Sequence, residues 1–312
     1  MAEVAVIIPN WNGGDLAVTS IRSFAAQTIE PDVVVIDNAS TDGSCEAVAR
    51  ACPRATIIRN EGNRGYAPAV NQGLGVCGQA RYVVLGNNDI VLRDRESLER
   101  VVQYMDAHPE VDGLCGRYEY PDGRFQRLYS QLPTEFNMVV TWGVGRHLHA
   151  LLRGRRSREY YLLDRDFERP MTIEQPAFSC VLLRDRAIRQ VGLLDEQFAI
   201  FFNDIDYCWR WREHGLTWHY RPDWRIVHDK HATTGRLPLL GAELASSAMR
   251  FANKHFTGAS RWRIRVAILL DAAWRKLRHR DFPATLGSIW RGDLFHAAVP
   301  DAAPAVDAAS DD

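Results

Sequence analysis

The sequence lacks the cysteine spacings that are typical of disulfide-linked and zinc-binding proteins. Its six cysteines include no CxxC pair and show no framework spacing. We therefore expect the reduced thiols of a cytosolic protein, several of them buried. The six are Cys45, Cys52, Cys77, Cys115, Cys180 and Cys208.

Strong net charge and long apolar runs are also absent. A formal net charge of -1 excludes a global electrostatic field for nucleic acid, so we expect no nucleic-acid partner. The apolar run at 266–270 is too short for a transmembrane helix, which needs about 18 apolar residues. No signal peptide precedes the first strand pattern at Val4. The expected location is cytoplasmic, either free or peripheral on the inner face of the cytoplasmic membrane.

Neither of the common phosphate-binding loops is present. No GxGxxG follows the first predicted strand, and no Walker lysine motif occurs in the chain. The first strand leads instead into Pro9, Asn10 and Asn12, in a loop without a cationic side chain. A nucleotide would therefore have to be bound by polar groups of another kind.

Strand and helix patterns alternate over the first third of the chain. The patterns predict strands at 4–9, 33–37, 55–59, 81–86 and near 111–117. They predict helices at 15–27, 44–51, 67–76 and 97–107. Such alternation with short connections gives right-handed crossovers, so we expect an α/β fold with a mostly parallel central sheet flanked by helices.

The rest of the chain is less regular before order returns. Residues 123–176 include a basic run at 153–158, which suits either a loop over a site or a solvated linker. Further strands are predicted at 178–183, 216–220 and 224–228, and further helices at 185–191 and 204–214. The pattern is helical from 239 to about 295, and residues 300–312 have a composition typical of disorder.

Polar side chains follow the predicted strands, at the edge where α/β sheets bind ligands. Strand two ends in Asp37, Asn38 and Ser40, whose carboxylate and hydroxyl can bind the base and ribose of a pyrimidine nucleotide. The same stretch also suits a helix cap at Ser40 or Thr41.

The loop after strand three supplies a second polar group. Asn63, Arg64 and Gly65 lie in this loop, and Asn71 follows in the next helix. Gly65 allows a ligand to approach the backbone closely, and Arg64 can contact a phosphate. A surface turn with an exposed arginine is the alternative.

Strand four ends abruptly in Asn87, Asn88 and Asp89. A carboxylate beside two amides suits a divalent cation that carries a phosphorylated ligand. A simple turn is the alternative, because Asn and Asp favour turns for conformational reasons.

Taken in order, these loops resemble the N-terminal half of the inverting family-2 glycosyltransferases, which have the Rossmann-like GT-A fold. The matching segments are 7–12, 35–43, 60–66 and 85–89, and the resemblance extends from residue 4 to about 235. It implies that Asp37 contacts the nucleotide base. It also implies that Asp89 binds the metal on the donor diphosphate.

The acceptor side resembles the same family. Residues 192–198 and 201–210 are similar to the segment whose usual Glu-Asp pair supplies the general base. Here Asn203 replaces the glutamate, and Asp204 is the predicted base, which the N–H groups of a helix N-terminus would hold ionised. Asp206 lies about 200° round the helix from Asp204, so we predict a supporting role through an arginine or the helix dipole.

Residues 224–231 resemble the family's late strand, whose histidine completes the metal shell. The implied ligands of Mn²⁺ or Mg²⁺ are Asp89 and His228, with His231 as the second choice. Without the resemblance both histidines would be interpreted as surface residues at a strand end. Asp89 is the only carboxylate in its triplet, so we expect weak metal binding until the donor diphosphate completes the shell.

The segment 261–280 has its own character, with seven basic residues, one acidic residue and apolar residues at helical spacing. It suits the headgroup zone of an anionic membrane, a helix packed on the catalytic domain, or a homodimer contact. The expected organisation is a catalytic domain at 1–235, with a nucleotide-sugar half at 1–120 and an acceptor half at 121–235. A helical extension at 236–298 and a disordered tail at 299–312 would follow.

The sequence thus predicts metal-assisted, inverting sugar transfer from a nucleoside-diphosphate sugar to a hydroxyl of a glycan or lipid-linked glycan. The Asn-Asn-Asp triplet and the 203–206 segment look most like bacterial rhamnosyltransferases, so dTDP-rhamnose is the first choice of donor and a UDP-sugar the second. A sugar nucleotidyltransferase and a non-catalytic nucleotide-sugar-binding protein are the alternatives.

Overall fold

The computed structural model describes residues 2–78, 80–143, 154–229, 240–278 and 286–291. The first third alternates strand and helix as the sequence predicts, except that a short unpredicted strand at Ile90–Val91 follows the fourth strand without a helix between them. Its strands are β1 (Val4–Asn10), β2 (Asp32–Asp37), β3 (Thr56–Arg59), β4 (Tyr82–Gly86), β5 (Ile90–Val91) and β6 (Gly113–Glu119). Its helices are α1 (Gly14–Ala25), α2 (Ser44–Ala51), α3 (Tyr66–Val76) and α4 (Ser97–Ala107).

The predicted irregular region contains several short elements. They are β7 (Tyr129–Ser130), α5 (Glu135–Asn137), a π-helix (Met138–Trp142), α6 (Arg155–Tyr160), β8 (Met171–Ile173) and β9 (Gln175–Pro176). After them come β10 (Cys180–Arg184), α7 (Asp185–Val191), a 3₁₀ turn (Glu196–Phe198), α8 (Asn203–Glu213) and β11 (Trp218–His228). The C-terminal helices are α9 (Leu240–His255), α10 (Gly258–Arg278) and α11 (Leu286–Arg291).

One sheet organises the domain, in the order β3-β2-β1-β4-β10-β6-β11-β5, with β8 added beside β11. Strands β3, β2, β1 and β4 are parallel, and antiparallel pairs begin at β10. The predicted α/β fold with a mostly parallel sheet is confirmed. Residues 4–8 of the central strand are fully buried, because helices cover both faces of the sheet.

Two predicted strands, at 216–220 and 224–228, are in fact one continuous strand. β11 runs through Arg221–Asp223, and its register against β6 shifts between Arg221 and Arg225. Pro222 lies in this shift, where a residue without an N–H interrupts the ladder without ending the strand. The prediction of a break was wrong because proline is tolerated at a bulge.

All six cysteines are free and buried, so the expectation of buried thiols is confirmed. Within the described ranges, no helix combines the length and the apolar character needed to cross a membrane. The predicted tail at 299–312 and the second-choice ligand His231 lie outside the described residues.

Helix α3 packs closely on β1 through Gly73. A Cβ atom at this position would lie 2.4 Å from Cγ2 of the fully buried Ile7. At Gly75, two residues along the same helix, a Cβ atom would have no neighbour within 4 Å. The two glycines therefore differ in packing within one helix.

We expect Gly73→Ala to destabilise the protein by about 1–3 kcal/mol, because the added methyl group overpacks a rigid core. Gly75→Ala is the matched control and should be neutral, or stabilise by up to about 1 kcal/mol through helix propensity. Urea unfolding of both variants measures the difference. Equal stabilities would contradict the packing described.

Candidate active site

The carboxyl ends of β1, β2 and β4 are joined by one buried amide. The Nδ2 group of Asn10 lies 2.9 Å from Oδ1 of Asp37, 3.2 Å from Oγ of Ser40 and 3.1 Å from Oγ of Ser44. Its Oδ1 accepts a hydrogen bond of 2.8 Å from Nδ2 of Asn88. Asn10 and Asn88 are both buried, and their pairing holds the ends of the three strands together.

The loop after β2 is held rigid around Asp37. The buried carboxylate of Asp37 also accepts the N–H of Ser40 at 3.1 Å, and Ser40 Oγ accepts the N–H of Asn12 at 2.9 Å. Asn12 and Ala39 adopt positive φ angles of 49° and 59°, which L-residues rarely do. Such backbone strain persists only where the surroundings fix it, and it is common at ligand sites.

The alternative of a helix cap at Ser40 or Thr41 is wrong. Helix α2 begins later, after Gly43 at φ 76°, and Oδ1 of Asp42 accepts the N–H of Ser44 at 3.0 Å. Ser40 and Thr41 therefore belong to the loop that faces the strand edge. Pro9 and Asn12 lie beside this loop and are partly exposed.

The loop after β3 joins the same edge. Asn38 donates to the carbonyl oxygen of Gly65 at 3.0 Å, and Asn63 accepts the N–H of Gly65 at 2.9 Å. Gly65 has a φ of 89°, which favours glycine. The side chain of Arg64 is exposed.

Asn71 is a correction to the predicted nucleotide contacts. Its buried amide exchanges two hydrogen bonds with the backbone of Leu194, at 2.9 and 3.0 Å, and donates to Glu196 at 3.0 Å. It thus ties α3 to the segment before α8, and both ends of its amide are engaged by these partners. A polar residue in a helix following a nucleotide loop was insufficient evidence for ligand contact.

Asp89 and His228 face each other in the interior. Nε2 of His228 lies 3.4 Å from Oδ1 of Asp89, and both side chains are buried. The N–H of Asp229 donates to the Asp89 carbonyl at 3.0 Å, which fixes the end of β11 against this turn. Oδ1 of Asp89 has no hydrogen-bond donor among the described residues. A buried carboxylate oxygen without a donor needs another positive partner.

Gln126, which sequence reasoning missed, sets the orientation of His228. Its Oε1 lies 2.5 Å from Nδ1 of His228, and its Nε2 lies 3.5 Å from the carbonyl oxygen of the same residue. Nδ1 therefore carries the hydrogen, and in the neutral ring the lone pair of Nε2 points toward Asp89. Fixing a histidine tautomer through the other ring nitrogen is how proteins prepare a metal ligand.

The distance agrees with a shared cation. Neighbouring ligands of an octahedral ion with bonds of about 2.1 Å are separated by about 3 Å. Among the described residues no cluster of three or more His, Cys, Asp or Glu side chains could hold a metal. The described residues therefore offer Asp89 and His228 as two possible ligands, and oxygen atoms of a bound diphosphate would suit the remaining positions. Asn87, partly exposed beside this pair, donates its backbone N–H to Ser179 at 2.8 Å.

Asp204 begins helix α8 on the other side of the site. Its Oδ1 accepts the N–H of Ile205 at 2.8 Å, and its Oδ2 accepts from Gln175 at 3.1 Å. Ser130 in turn donates to Oε1 of Gln175 at 2.5 Å. Gln175 and Ser130, both missed by sequence reasoning, therefore restrict the orientation of the Asp204 carboxylate.

The environment of Asp204 corrects one expectation. Burial raises the pKa of Asp204 to about 6, and the hydrogen bonds from Ile205 and Gln175 oppose the rise only in part. The helix N-terminus was expected to lower the pKa of this carboxylate, yet the effect of desolvation, which raises the pKa, is larger. A pKa near 6 still leaves the carboxylate ionised at pH 7 and makes it a better proton acceptor. Asn203 donates to the carbonyl of Ile200 at 2.7 Å and holds the preceding turn.

Asp206 is fully buried on the opposite side of α8. It accepts from Arg210 at 3.0 Å and from Lys254 and His255 of α9, each at 2.7 Å. Burial acts to raise its pKa, but the hydrogen bonds from His255 and Lys254 together with nearby positive charge hold the pKa below its ordinary value. The cluster joins the helix that carries Asp204 to the C-terminal extension.

A family model described as "Glycosyl transferase family 2" matches residues 5–192, more than half of the chain. The chain belongs to this family. It is a glycosyltransferase.

The similar proteins agree with this membership. An N-acetylglucosaminyl-diphospho-decaprenol L-rhamnosyltransferase of Mycobacterium tuberculosis is 25% identical over 285 residues, 85% of this chain and 90% of that protein. The mannosyltransferase PcManGT of Pyrobaculum calidifontis, solved with GDP-Man and Mn²⁺, has a TM-score of 0.53 at 18% identity, covering 92% of this chain and 77% of that one. S. aureus TarS 1–349 with UDP-GlcNAc has a TM-score of 0.51 at 15% identity, covering 92% and 78%. The two structures show that the fold of this glycosyltransferase is GT-A.

We expect Asp206→Asn to lower the free energy of unfolding by about 2–4 kcal/mol, because it removes a fully buried charge from the partly buried Arg210 and Lys254. Asp195→Asn is the matched control, since Asp195 pairs with the same Lys254 at 2.6 Å in a more exposed position, and should cost about 1 kcal/mol or less. Denaturant unfolding measures both.

The effect of Asp206→Asn should depend on pH in a defined direction. The folded pKa of Asp206 lies below the ordinary value of 3.8, so its contribution is complete above 3.8 and is lost as pH falls through the folded pKa. The gap between wild type and variant should therefore close only in acid. A gap that closes between pH 8 and 5 would contradict this assignment.

Proposed function

We propose that this glycosyltransferase transfers a sugar, with inversion at the anomeric carbon, from a nucleoside-diphosphate sugar to a hydroxyl of a glycan acceptor. Asp89 and His228 would hold a divalent cation, Mn²⁺ or Mg²⁺, and Asp204 would be the general base. The observation that carries the proposal is that Oδ1 of Asp89 has no hydrogen-bond donor in the described part of the chain and lies 3.4 Å from Nε2 of His228. A site built in this way is suited to a cation that a diphosphate completes.

The donor would lie over the carboxyl ends of β1, β2 and β4. Asp37 would contact the base, and the loop at Ser40 and Asn12 would contact the ribose. The exposed Arg64 is available for a phosphate. When bound, a divalent cation would stabilise the charge that develops on the leaving diphosphate. The rhamnosyltransferase relative supports dTDP-rhamnose as the first choice and leaves a UDP-sugar as the second.

The acceptor would lie against Asp204. Its carboxylate would take the proton of the attacking hydroxyl while the new C–O bond forms on the face opposite the departing diphosphate. Gln175 would keep Oδ2 oriented toward that hydroxyl during the transfer. The carbonyl of Ala199 accepts the N–H groups of Tyr66 and Ala67 at 2.6 and 3.1 Å. These hydrogen bonds join the end of the loop after β3 to the segment that leads to Asp204, the proposed general base.

The acceptor class follows from the chemistry of the relative. The mycobacterial protein is named for an acceptor that joins a sugar to a polyprenyl carrier through a diphosphate. We propose a lipid-linked or surface glycan acceptor for this chain as well, which would place the enzyme at the inner face of the cytoplasmic membrane. A nucleotidyltransferase would need cations in the loop after β1, and residues 10–14 contain none.

Asp204→Asn should reduce sugar transfer by about 10²–10⁴-fold, because the amide cannot accept the hydroxyl proton. Glu213→Gln at the far end of α8 is the matched control and should keep full activity. Transfer is measured with radiolabelled donor, and nucleotide binding by thermal shift. Loss of nucleotide binding in the Asp204 variant would contradict its role as a base.

The pH dependence of kcat/KM tests the same residue. Asp204 acts as its anion, so the rate should be level above about 6 and fall about tenfold for each pH unit below. Substituting Gln175 by Leu removes a hydrogen bond to the charged form and should move this limb to higher pH. An unchanged limb would show that another group titrates.

Nucleotide identity can be read from thermal stability. With Mn²⁺ present, dTDP or UDP should stabilise the protein more than GDP, because Asp37 suits the imide edge of a pyrimidine. A ligand at about 100 times its Kd adds roughly 2.7 kcal/mol. Asp37→Asn should lose this preference, while Asp42→Asn, in the same loop and paired with the backbone of Gly14 and Ser44, should keep it. Equal stabilisation by all three nucleotides would contradict the proposed base contact.

A further inference from the structure

Helix α10 is apolar on two opposite faces. Ile264, Ile268 and Ala272 are fully buried against the domain. The outward face presents Trp262, Leu270 and Leu277, which are 63, 52 and 81% exposed. With Val266 and Trp274, which is 47% exposed, these side chains follow one another at spacings of three or four residues. We name the five the α10 surface.

A groove of about 640 Å³ lies beside the α10 surface. Phe136 and Val139, on α5 and the π-helix, form one wall, and Trp262, Val266 and Leu270 form the other. Arg156 and Arg263 lie at the same groove. The groove therefore extends the apolar face inward and adds cationic groups to it.

Basic side chains predominate next to the α10 surface, and Glu135 is the acidic residue that lines the groove. Arg261, Arg265 and Lys276 lie on the same helix, and Arg263 pairs with Glu135 across the groove. The single acidic residue of α10, Asp271, is buried and pairs with Arg275 at 2.9 Å. An exposed apolar stripe with tryptophan and a cationic border has the character of a helix that lies in the headgroup zone of an anionic bilayer.

We propose that the α10 surface docks this enzyme on an anionic membrane, with Trp262, Leu270 and Leu277 inserted among the lipids. A second copy of the chain fits this surface less well. In a twofold dimer the patch would meet itself, and its cationic border would face an identical border. Anionic lipid headgroups, by contrast, complement that border in charge.

Docking would bring the side of the enzyme that carries the Asp204 carboxylate toward the bilayer. The π-helix forms part of one wall of the groove, and its Trp142 packs on Phe202 with ring centroids 4.9 Å apart. Phe202 immediately precedes the turn that carries Asp204. This step rests on the proposed function, because a lipid-linked acceptor presents its hydroxyl at the membrane surface.

The test is sedimentation of the full chain with vesicles of phosphatidylcholine alone or with about one-third phosphatidylglycerol. Wild type should bind the anionic vesicles and release them as salt rises. The double variant Trp262→Ser/Leu277→Ser should bind at least about tenfold more weakly, since two apolar anchors are lost. Val76→Ser/Leu163→Ser, which removes two exposed apolar side chains elsewhere, is the matched control and should bind like wild type.

Two results would overturn the proposal. One is equal vesicle binding, or equal failure to bind, by wild type and the Trp262/Leu277 variant. The other is a wild-type dimer in light scattering that the same variant makes monomeric, because the surface would then be a contact between copies. Nucleotide thermal shifts of all variants separate this inference from the proposed function: vesicle binding by a chain that binds no nucleotide would support docking and contradict the enzyme chemistry.

Discussion

Two hydrogen-bond acceptors, Nε2 of His228 and Oδ1 of Asp89, face each other inside this glycosyltransferase. The candidate site depends on a positive partner that both can share. Gln126 holds the hydrogen of His228 on Nδ1, so Nε2 presents its lone pair to Oδ1 of Asp89. In a buried position this arrangement is unfavourable unless a positive charge is shared. The hydrogen bonds of Asn10 to Asp37 and to Asn88 join the turn that carries Asp89 to the end of β2. In the proposed complex one nucleotide sugar would therefore reach both the cation and the base contact.

Much of the fold follows from local sequence. Alternating apolar strands and amphipathic helices specify the parallel half of the sheet, and the ends of α2, α4 and α7 agree with the predicted residues. Asp37, Asp89 and Asp204 could be selected because each follows a strand or begins a helix at the ligand-binding edge. Strand and helix periodicity constrains such positions without reference to distant parts of the chain.

The supporting residues could not be selected in this way. Gln126 lies 102 positions from His228, and Gln175 lies 29 positions from Asp204, so no local pattern connects either pair. Asn71 shows the converse error, because a polar side chain near a nucleotide loop instead pairs with the backbone of Leu194. The raised pKa of Asp204 likewise reflects burial by tertiary neighbours, which the helix-terminus argument left out.

The most direct test of this account is a titration of Mn²⁺ followed by electron paramagnetic resonance, which detects the free ion. Wild type should bind Mn²⁺ weakly alone and much more tightly with a saturating nucleoside diphosphate, because Asp89 and His228 would supply two ligands and the diphosphate would supply others. Asp89→Asn should remove the gain while leaving the fold intact. Tight binding without nucleotide, or an unchanged gain in Asp89→Asn, would contradict the claim that Asp89 and His228 share the cation.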